Sequence, residues 1–260
     1  MIRLRLLPLF AVLLFAACAK PGAPPTNYKE IEVTNGGTIS GTVKFNGPKP
    51  PANSIIVEKD QDACGTSHPN TSAPGLGDGI ANAIVYLDTV MTGRPFGAAP
   101  IVTKLDQLRC EFVPHLQIVR TGTHIVVSNS DKVIHNFHLF LNGKTVVNEV
   151  EPDGAPPHEI TLTETGLNYV ICDVHPWMRG FVMVTSHPYY ALTDSNGRYS
   201  LTNVPPGRYT LKMWRDNWAI DQPKNANGMV SGYNWGSDYR NQREVVVEAG
   251  KVDTADFVLP

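Results

Sequence analysis

Short stretches in which apolar and polar residues alternate recur along the chain and predict strands rather than helices. Residues 38–45 alternate in this way and end at Asn46-Gly47, a dipeptide typical of tight hairpin turns. The spacing of these stretches, with turn residues between them, is typical of packed β-sheets rather than of alternating strands and helices. We therefore expect an all-β protein with very little helix. Further strands are predicted at 83–87, 123–127, 159–162, 168–172, 180–185, 198–202, 208–214, 244–248 and 254–259.

The N-terminus has the pattern of a processing signal, with basic residues before an apolar run and small residues before Cys18. This order resembles the bacterial lipoprotein signal, in which the cysteine becomes the lipidated first residue of the mature chain. We expect a signal peptide over 1–17 and lipidation of Cys18. The alternative is ordinary secretion with cleavage near Ala17 or Ala19. The apolar run is about 10 residues long, too short to cross a bilayer, so membrane attachment is expected through the lipid anchor only.

Residues 18–36 are rich in proline and small residues, which is typical of a tether between a membrane anchor and a folded body. We therefore expect the protein in the periplasm or at the cell surface. Ala19 and Lys20 after the cysteine carry no sign of inner-membrane retention, which favours the outer membrane.

Composition narrows the class of protein further. The chain has 260 residues, of which 42% are hydrophobic, enough for one or two packed domains. Its 22 basic and 24 acidic residues give a net charge of -2. No basic stripe of the kind that neutralises phosphates is evident, so nucleic acid is not expected as a partner.

The C-terminal part repeats a strand-turn-strand pattern, with Ala191-Leu-Thr-Asp-Ser-Asn-Gly-Arg-Tyr followed by Asn203-Val-Pro-Pro-Gly-Arg-Tyr. It resembles the carboxypeptidase regulatory-like family of small transthyretin-like β-sandwiches. The opening strands of that family are matched far upstream, by Ile39-Ser-Gly-Thr-Val and Asn82-Ala-Ile-Val-Tyr-Leu. We therefore expect a discontinuous sandwich, formed by 37–95 and 187–260, that acts as a spacer, stabiliser or docking surface. A plain tandem arrangement of domains is the alternative.

Four aromatic residues lie close together in this C-terminal part. They are expected to pack in a core, with a contact surface as the alternative. The residues are Trp214, Trp218, Tyr233 and Trp235.

The inserted stretch, 96–186, carries the residues with metal chemistry. Cys172, His175 and Met178 lie on one short loop between predicted strands, and His135 lies upstream after a strand and a turn. One thiolate, two imidazoles and a thioether are the ligand set of a blue-copper site. Methionine is a poor zinc ligand, so this set favours copper over zinc.

The same loop resembles the short copper loop of amicyanins within the cupredoxin family. The resemblance covers about residues 100–186 and includes Gly122-Thr-His-Ile-Val-Val-Ser-Asn followed by His135-Asn-Phe-His. It implies a cupredoxin-type Greek-key β-sandwich over 96–186 that holds one type 1 copper ion. It also implies that Asn136 joins the two segments that carry ligands. The ligands implied are His135, Cys172, His175 and Met178.

The other histidines and cysteines follow from this ligand set. If Cys172 binds metal, Cys64 and Cys110 remain as a disulfide pair. His138 lies three residues along the strand from His135 and faces the opposite side, so it is expected to be structural. His115 and His124 receive no role.

Two expectations concern the surroundings of His175. Trp177 belongs either to the packed interior or to an apolar surface patch where a redox partner docks. In amicyanins the loop histidine is protonated and released from Cu(I), so an exposed His175 would give a reduction potential that rises as pH falls.

We therefore expect a type 1 copper protein, not an enzyme, that transfers single electrons in the cell envelope to or from a dehydrogenase or cytochrome. A storage or delivery lipoprotein for copper and a non-redox surface scaffold are the alternatives. A nitrite reductase is disfavoured, because such enzymes need a second copper site and no second histidine cluster is evident in the sequence.

Overall fold

The computed structural model describes residues 28–74, 77–98 and 100–260. In this part of the chain the secondary structure is almost entirely strand, and the predicted all-β class and sandwich architecture are confirmed. The only helix among these residues has four residues, and none is long and apolar enough to cross a membrane. The predicted signal peptide over 1–17 and the lipidation site Cys18 lie outside the described residues.

The N-terminal part of the described chain has short elements separated by irregular stretches. β1 pairs in parallel with β6, so the predicted tether, 18–36, already lies against the folded body in part of its described stretch. The elements are β1 (Lys29–Glu30), β2 (Gly37–Phe45), β3 (Ile55–Ile56), α1 (Gln61–Cys64), β4 (Ser67–His68), β5 (Ile84–Leu87) and β6 (Thr92–Gly93).

The middle of the chain forms two facing sheets that enclose one apolar core. Their strands are β7 (Val102–Leu108), β8 (Glu111–Val113), β9 (Leu116–Arg120), β10 (Thr123–Asn129), β11 (His135–Leu141), β12 (Lys144–Glu151), β13 (His158–Leu162), β14 (Gly166–Ile171) and β15 (Arg179–Thr185). One sheet has the order β13-β10-β7-β8, and the other has the order β12-β11-β14-β15-β9. We call this unit the first sandwich.

A second sandwich combines strands from both ends of the described chain. One sheet has the order β16-β5-β18-β21, and in the other β2 pairs with β17, β22 and β23. A separate apolar core lies between these sheets. The remaining strands are β16 (Tyr190–Leu192), β17 (Arg198–Val204), β18 (Gly207–Arg215), β19 (Ile220–Asp221), β20 (Asn234–Trp235), β21 (Tyr239–Val247), β22 (Val252–Thr254) and β23 (Phe257–Leu259).

A third apolar cluster joins the two sandwiches back to back. Phe181 and Met183 of β15 pack against Ile84 of β5 and Trp214 of β18. β15 is therefore buried on both faces, which suits its nearly continuous apolar sequence. Trp214 and Trp218 are both buried, so these two aromatic residues are packing residues rather than a contact surface.

Residues 55–68, which we call the cap, leave the second sandwich and cover one end of the first. Ile55, Val57 and Cys64 of the cap belong to the core of the first sandwich, as does Ile220. The predicted second sandwich, 37–95 and 187–260, includes these residues, because strand spacing does not reveal which core receives an isolated apolar side chain. A disulfide between Cys64 and Cys110 fixes the cap to the turn between β7 and β8.

Candidate metal centre

The first predicted ligand, His135, opens strand β11 and points inward. Alternation along the strand places His135 and Phe137 on the core side, where both are fully buried. His138 lies on the other face and contacts Asp173 and Thr145 at 3.0 Å each. The geometry thus separates His138 from His135, as the strand periodicity predicted.

The other three predicted ligands lie on the loop between β14 and β15, residues 172–178, which we call the metal loop. Cys172 follows the last residue of β14 and is buried with its thiol free. The loop then turns tightly, because the Met178 N–H donates to the His175 carbonyl oxygen at 2.9 Å. His175 and Met178 are buried with Cys172 at the same end of the first sandwich.

Three of the predicted ligands bring their donor atoms together. His135 Nδ1 lies 2.9 Å from His175 Nδ1 and 3.9 Å from Cys172 Sγ. His175 Nδ1 lies 3.8 Å from the same sulfur. First-row metals bind nitrogen and sulfur at about 2.0–2.3 Å, which leaves neighbouring donor atoms roughly 3–4 Å apart. The three separations match those of ligands that share one ion.

The outer nitrogen of each imidazole contacts a carboxylate. His135 Nε2 lies 2.9 Å from Asp131, and His175 Nε2 lies 2.9 Å from Asp60. A carboxylate only accepts hydrogen bonds, so each Nε2 carries a hydrogen, and a ring in its neutral form then has its lone pair at Nδ1. Both lone pairs then face each other and the Cys172 sulfur.

Two lone pairs 2.9 Å apart require a proton or a metal cation between them. Burial alone would lower the pKa of His135, but hydrogen bonds with Asp131 and Cys172 outweigh burial and raise it to about 9. At neutral pH the His135 ring of the metal-free protein therefore carries a hydrogen on both nitrogens. A metal cation would bind at Nδ1 by displacing one of these protons, and the donor atoms present fit a metal.

Cys172 is prepared to act as a thiolate. Burial alone would raise the pKa of its thiol, but the adjacent His135 and His175 rings and the hydrogen bond from the Asn136 N–H lower it to about 6. The Asn136 N–H donates to the sulfur at 3.3 Å. The thiolate is the form that binds metal, and with this pKa most of the Cys172 sulfur is thiolate at neutral pH, so a metal would bind there with little release of protons.

Asn136 contacts both segments that carry the ligands. Its Oδ1 accepts a hydrogen bond from the Asp173 N–H at 3.3 Å, next to Cys172. Its Nδ2 donates to Asn148 Oδ1 at 2.7 Å and to the Glu149 carbonyl oxygen at 3.0 Å. The amide thus links strand β11 to the metal loop and to β12.

Asp131 holds more than the His135 ring. It also accepts hydrogen bonds from the N–H groups of Arg109 and Cys110, at 2.6 and 2.7 Å. Both residues have positive φ, 55° and 54°, so the turn between β7 and β8 is tight and its N–H groups point at this carboxylate. Trp177 Nε1 donates to the Cys110 carbonyl oxygen at 3.2 Å and ties the metal loop to the same turn.

His175 is covered by the cap, which changes one expectation. Its side chain has no exposed surface, and Trp177 is also buried, at 3% exposure. Trp177 therefore belongs to the packed interior rather than to a surface patch. The expected pH-dependent potential assumed an exposed His175, and that condition is not met in this fold.

Sequence reasoning missed the two carboxylates. Asp131 lies four residues before His135, in a turn whose Asn-Ser-Asp pattern predicts only a loop. Asp60 lies 115 residues before His175, and no local pattern relates the two. The one sequence feature that could have indicated a supporting carboxylate is an aspartate four residues before a predicted ligand, and this feature identifies Asp131 but not Asp60.

His115, which received no role, lies in a buried polar cluster between the sandwiches. Its Nε2 is 3.0 Å from Asp216 and 3.2 Å from Ser72 Oγ. Arg179, the residue after Met178, donates to the same serine at 2.9 Å. These contacts join the metal loop to the second sandwich and place His115 outside the ligand set.

No family model matches the chain, and no curated protein matches it. Among solved structures, a purple cupredoxin from Nitrosopumilus maritimus is 23% identical, with 32% of this chain and 99% of that chain covered and a TM-score of 0.29. Amicyanin from Paracoccus versutus is 18% identical over 39% of this chain and 97% of that chain, with a TM-score of 0.30.

A Cu-containing nitrite reductase from Thermus scotoductus SA-01 is 19% identical, with 45% of this chain and 26% of that chain covered and a TM-score of 0.28. The chain thus spans about a quarter of that enzyme's length. In each of the three cases the matched stretch is less than half of this chain.

Proposed function

We propose that the protein binds one copper ion and transfers single electrons. The ligands are His135, Cys172, His175 and Met178. Bound there, copper supplies a centre that cycles between Cu(I) and Cu(II), and no substrate is bound or transformed. The chain's own residues supply a thiolate, two oriented imidazoles and a buried thioether.

The observation that carries this proposal is the convergence of three buried donor atoms within 4.8 Å of one another. The donor types select among metals. A thiolate with a thioether nearby suits copper in both oxidation states, whereas zinc sites rarely use methionine. Met178 is 2% exposed and lies in the same core cluster as Cys172.

Electron transfer is favoured over storage or delivery of copper by the way the ligands are held. Each imidazole is fixed through its outer nitrogen, and the thiolate accepts a hydrogen bond from the Asn136 N–H. Ligands fixed in this way keep their positions when the charge of the ion changes, and they resist release of the ion. A delivery protein needs ligands that release the ion readily to an acceptor.

We place this function in the cell envelope, in the periplasm or at the cell surface, on a lipid anchor at Cys18. The redox partner is a protein, a dehydrogenase or a cytochrome by analogy with amicyanins. The second sandwich serves as a spacer or docking surface and contributes the cap.

The test is a visible absorption and electron paramagnetic resonance spectrum of the protein from Lys20 onward, loaded with one equivalent of Cu(II). We expect an intense thiolate-to-copper band and a narrow copper hyperfine splitting. Ascorbate should bleach the band and an oxidant should restore it. A colourless protein, or one with weak normal-copper features or a preference for zinc, would overturn the proposal.

Two variants make the spectrum specific. Cys172→Ser removes the thiolate and should abolish the intense band. His138→Ala, on the opposite face of β11, should retain it and serves as the matched control. If both variants keep the band, the ligand assignment is wrong.

A further inference from the structure

The two imidazoles of the site are held by carboxylates from different parts of the chain. Asp131 is local to His135, but Asp60 reaches His175 from the cap, 115 residues away. Asp60 immediately precedes helix α1, where an aspartate usually accepts a hydrogen bond from the helix N-terminus. Its side chain makes no such bond, and its carboxylate contacts His175 instead.

The backbone of Asp60 is set for this contact. Its φ is 52° and its ψ is 38°, a left-handed conformation that costs most residues about 1 kcal/mol and that aspartate tolerates better. Its own carbonyl oxygen accepts hydrogen bonds from the N–H groups of Ala63 and Cys64, at 3.0 and 2.8 Å. The carboxylate is thereby aimed away from the helix and towards the metal loop.

The cap is anchored on both sides of Asp60. Ile55 and Val57 insert into the core of the first sandwich before it, and the disulfide from Cys64 to Cys110 closes the segment after it. The anchored segment covers His175 completely, although the Asp60 side chain keeps 32% of its surface exposed. The Asp60 carboxylate is thus held against the ring by the surrounding covalent and apolar contacts.

We propose that Asp60 is a positioning residue for the metal site, which acts by holding the His175 ring with its hydrogen at Nε2 and its Nδ1 lone pair towards Cys172. The proposal deepens the proposed function and rests on it. Without the Asp60 carboxylate, the neutral ring is free to move its hydrogen to Nδ1, where it blocks metal binding. The second sandwich, through the cap, then takes part in building a site whose ligands all come from the first.

The test compares three variants of the protein from Lys20 onward. Asp60→Gly removes the carboxylate and keeps the left-handed backbone free of strain. Asp60→Asn keeps an acceptor oxygen and tolerates the same backbone. Asp62→Asn, an exposed position in the same short helix, is the matched control.

Two measurements apply to each variant. Long-range proton–nitrogen NMR spectra of the metal-free protein report which nitrogen of His175 carries the hydrogen. Competition with a chelator of known affinity reports the binding of Cu(I). We expect Asp60→Gly to lose the Nε2-hydrogen form of His175 and to bind Cu(I) about 10- to 100-fold more weakly, the usual effect of removing a partner of a metal-bound histidine.

Asp60→Asn should recover part of both properties, and Asp62→Asn should match the wild type. If Asp60→Gly and Asp60→Asn both keep the wild-type tautomer and affinity, Asp60 does not position His175. If Asp60→Gly does not fold, by circular dichroism, Asp60→Ala, which also removes the acceptor, replaces it, and an unchanged tautomer and affinity in Asp60→Ala overturns the proposal. Failure of the wild type to bind copper would instead overturn the proposed function, and the NMR result on the metal-free protein distinguishes the two.

Discussion

The two carboxylate–histidine pairs of the site have the same contact distance and very different surroundings. Asp131 is 7% exposed, lies four residues from His135 and accepts two further hydrogen bonds from backbone N–H groups. Asp60 is 32% exposed, and its structural partner is a ring 115 residues away. One pair belongs to the turn that forms the site, and the other depends on how the cap is fixed.

Because of this difference, Asp131 is expected to stabilise the fold as well as the site, whereas Asp60 is expected to act mainly on the site. The Asp131 carboxylate accepts three hydrogen bonds, two of them from the buried donors of Cys110 and His135, so its removal affects folding as well as the site. The Asp60 carboxylate satisfies one donor and remains partly in water, so its removal should affect the site far more than the free energy of unfolding. The two pairs should therefore respond differently to substitution of their carboxylates.

Removing the covalent anchor of the cap should have the largest effect on stability. The disulfide closes a loop between residues 46 positions apart, and loop-closure entropy gives about 4 kcal/mol for that length. We expect the double variant Cys64→Ala/Cys110→Ala to lose about 2–4 kcal/mol of unfolding free energy, measured by urea denaturation. A loss below about 1 kcal/mol would mean that apolar contacts alone hold the cap. The Asp60–His175 pair would then not depend on the disulfide, which would weaken the contrast with the Asp131–His135 pair.

Replacing Asp131 by alanine should cost about 2 kcal/mol in the same experiment. The change leaves the buried N–H group of Cys110 and the buried Nε2 of His135 without an acceptor, and each buried unsatisfied donor costs about 1–3 kcal/mol. Asp153→Ala, at an exposed position, is the control and should change stability by less than about 0.5 kcal/mol. Equal losses from Asp131→Ala and Asp60→Gly would contradict the distinction between the two pairs.

A second carboxyl group lies on the His135 side of the site and should make stability depend on pH. Glu151 is opposite His135 in the register of β11 and β12 and is 4% exposed. Burial, together with the nearby Glu149 carboxylate, raises its pKa from 4.5 to about 7. The folded state therefore holds this proton more tightly than the unfolded state does.

The contribution of Glu151 is fully present below pH 4.5 and is lost as pH rises through about 7. Above that pH its ionisation costs about 3 kcal/mol of unfolding free energy. We expect Glu151→Gln, which keeps the shape of the side chain, to stabilise the metal-free protein at pH 8 and to change little at pH 4.5. Denaturation curves at both pH values check this, and an equal effect at the two would rule out a raised pKa.

Sequence patterns located most strands of the second sandwich but only four of the nine strands of the first, namely β10, β13, β14 and β15, and the strands found are ones that bury at least one face. β2 and β10 alternate clearly between buried and less buried residues, and both were predicted within two residues of their ends. β12 was missed because it is an edge strand in which only Glu151 is buried, so its residues show no apolar alternation.

The proposed ligands could be recognised from the sequence, whereas the carboxylate from the cap could not. Cys172, His175 and Met178 share a short loop, so their spacing is visible in the sequence. Asp60 reaches the site only because distant segments fold together and a disulfide holds them. No pattern along the chain encodes a contact of this kind, and only the three-dimensional structure reveals it.

The position of the disulfide also bears on how the protein matures. The described chain has three cysteines, and oxidation can pair any two of them, yet only the pair Cys64–Cys110 leaves Cys172 available to a metal. Both wrong pairings would consume the sulfur that we propose as a copper ligand. Under the proposed function, oxidative folding and metal uptake would compete for one thiol, and early metal capture by Cys172 would protect the chain from wrongly paired disulfides.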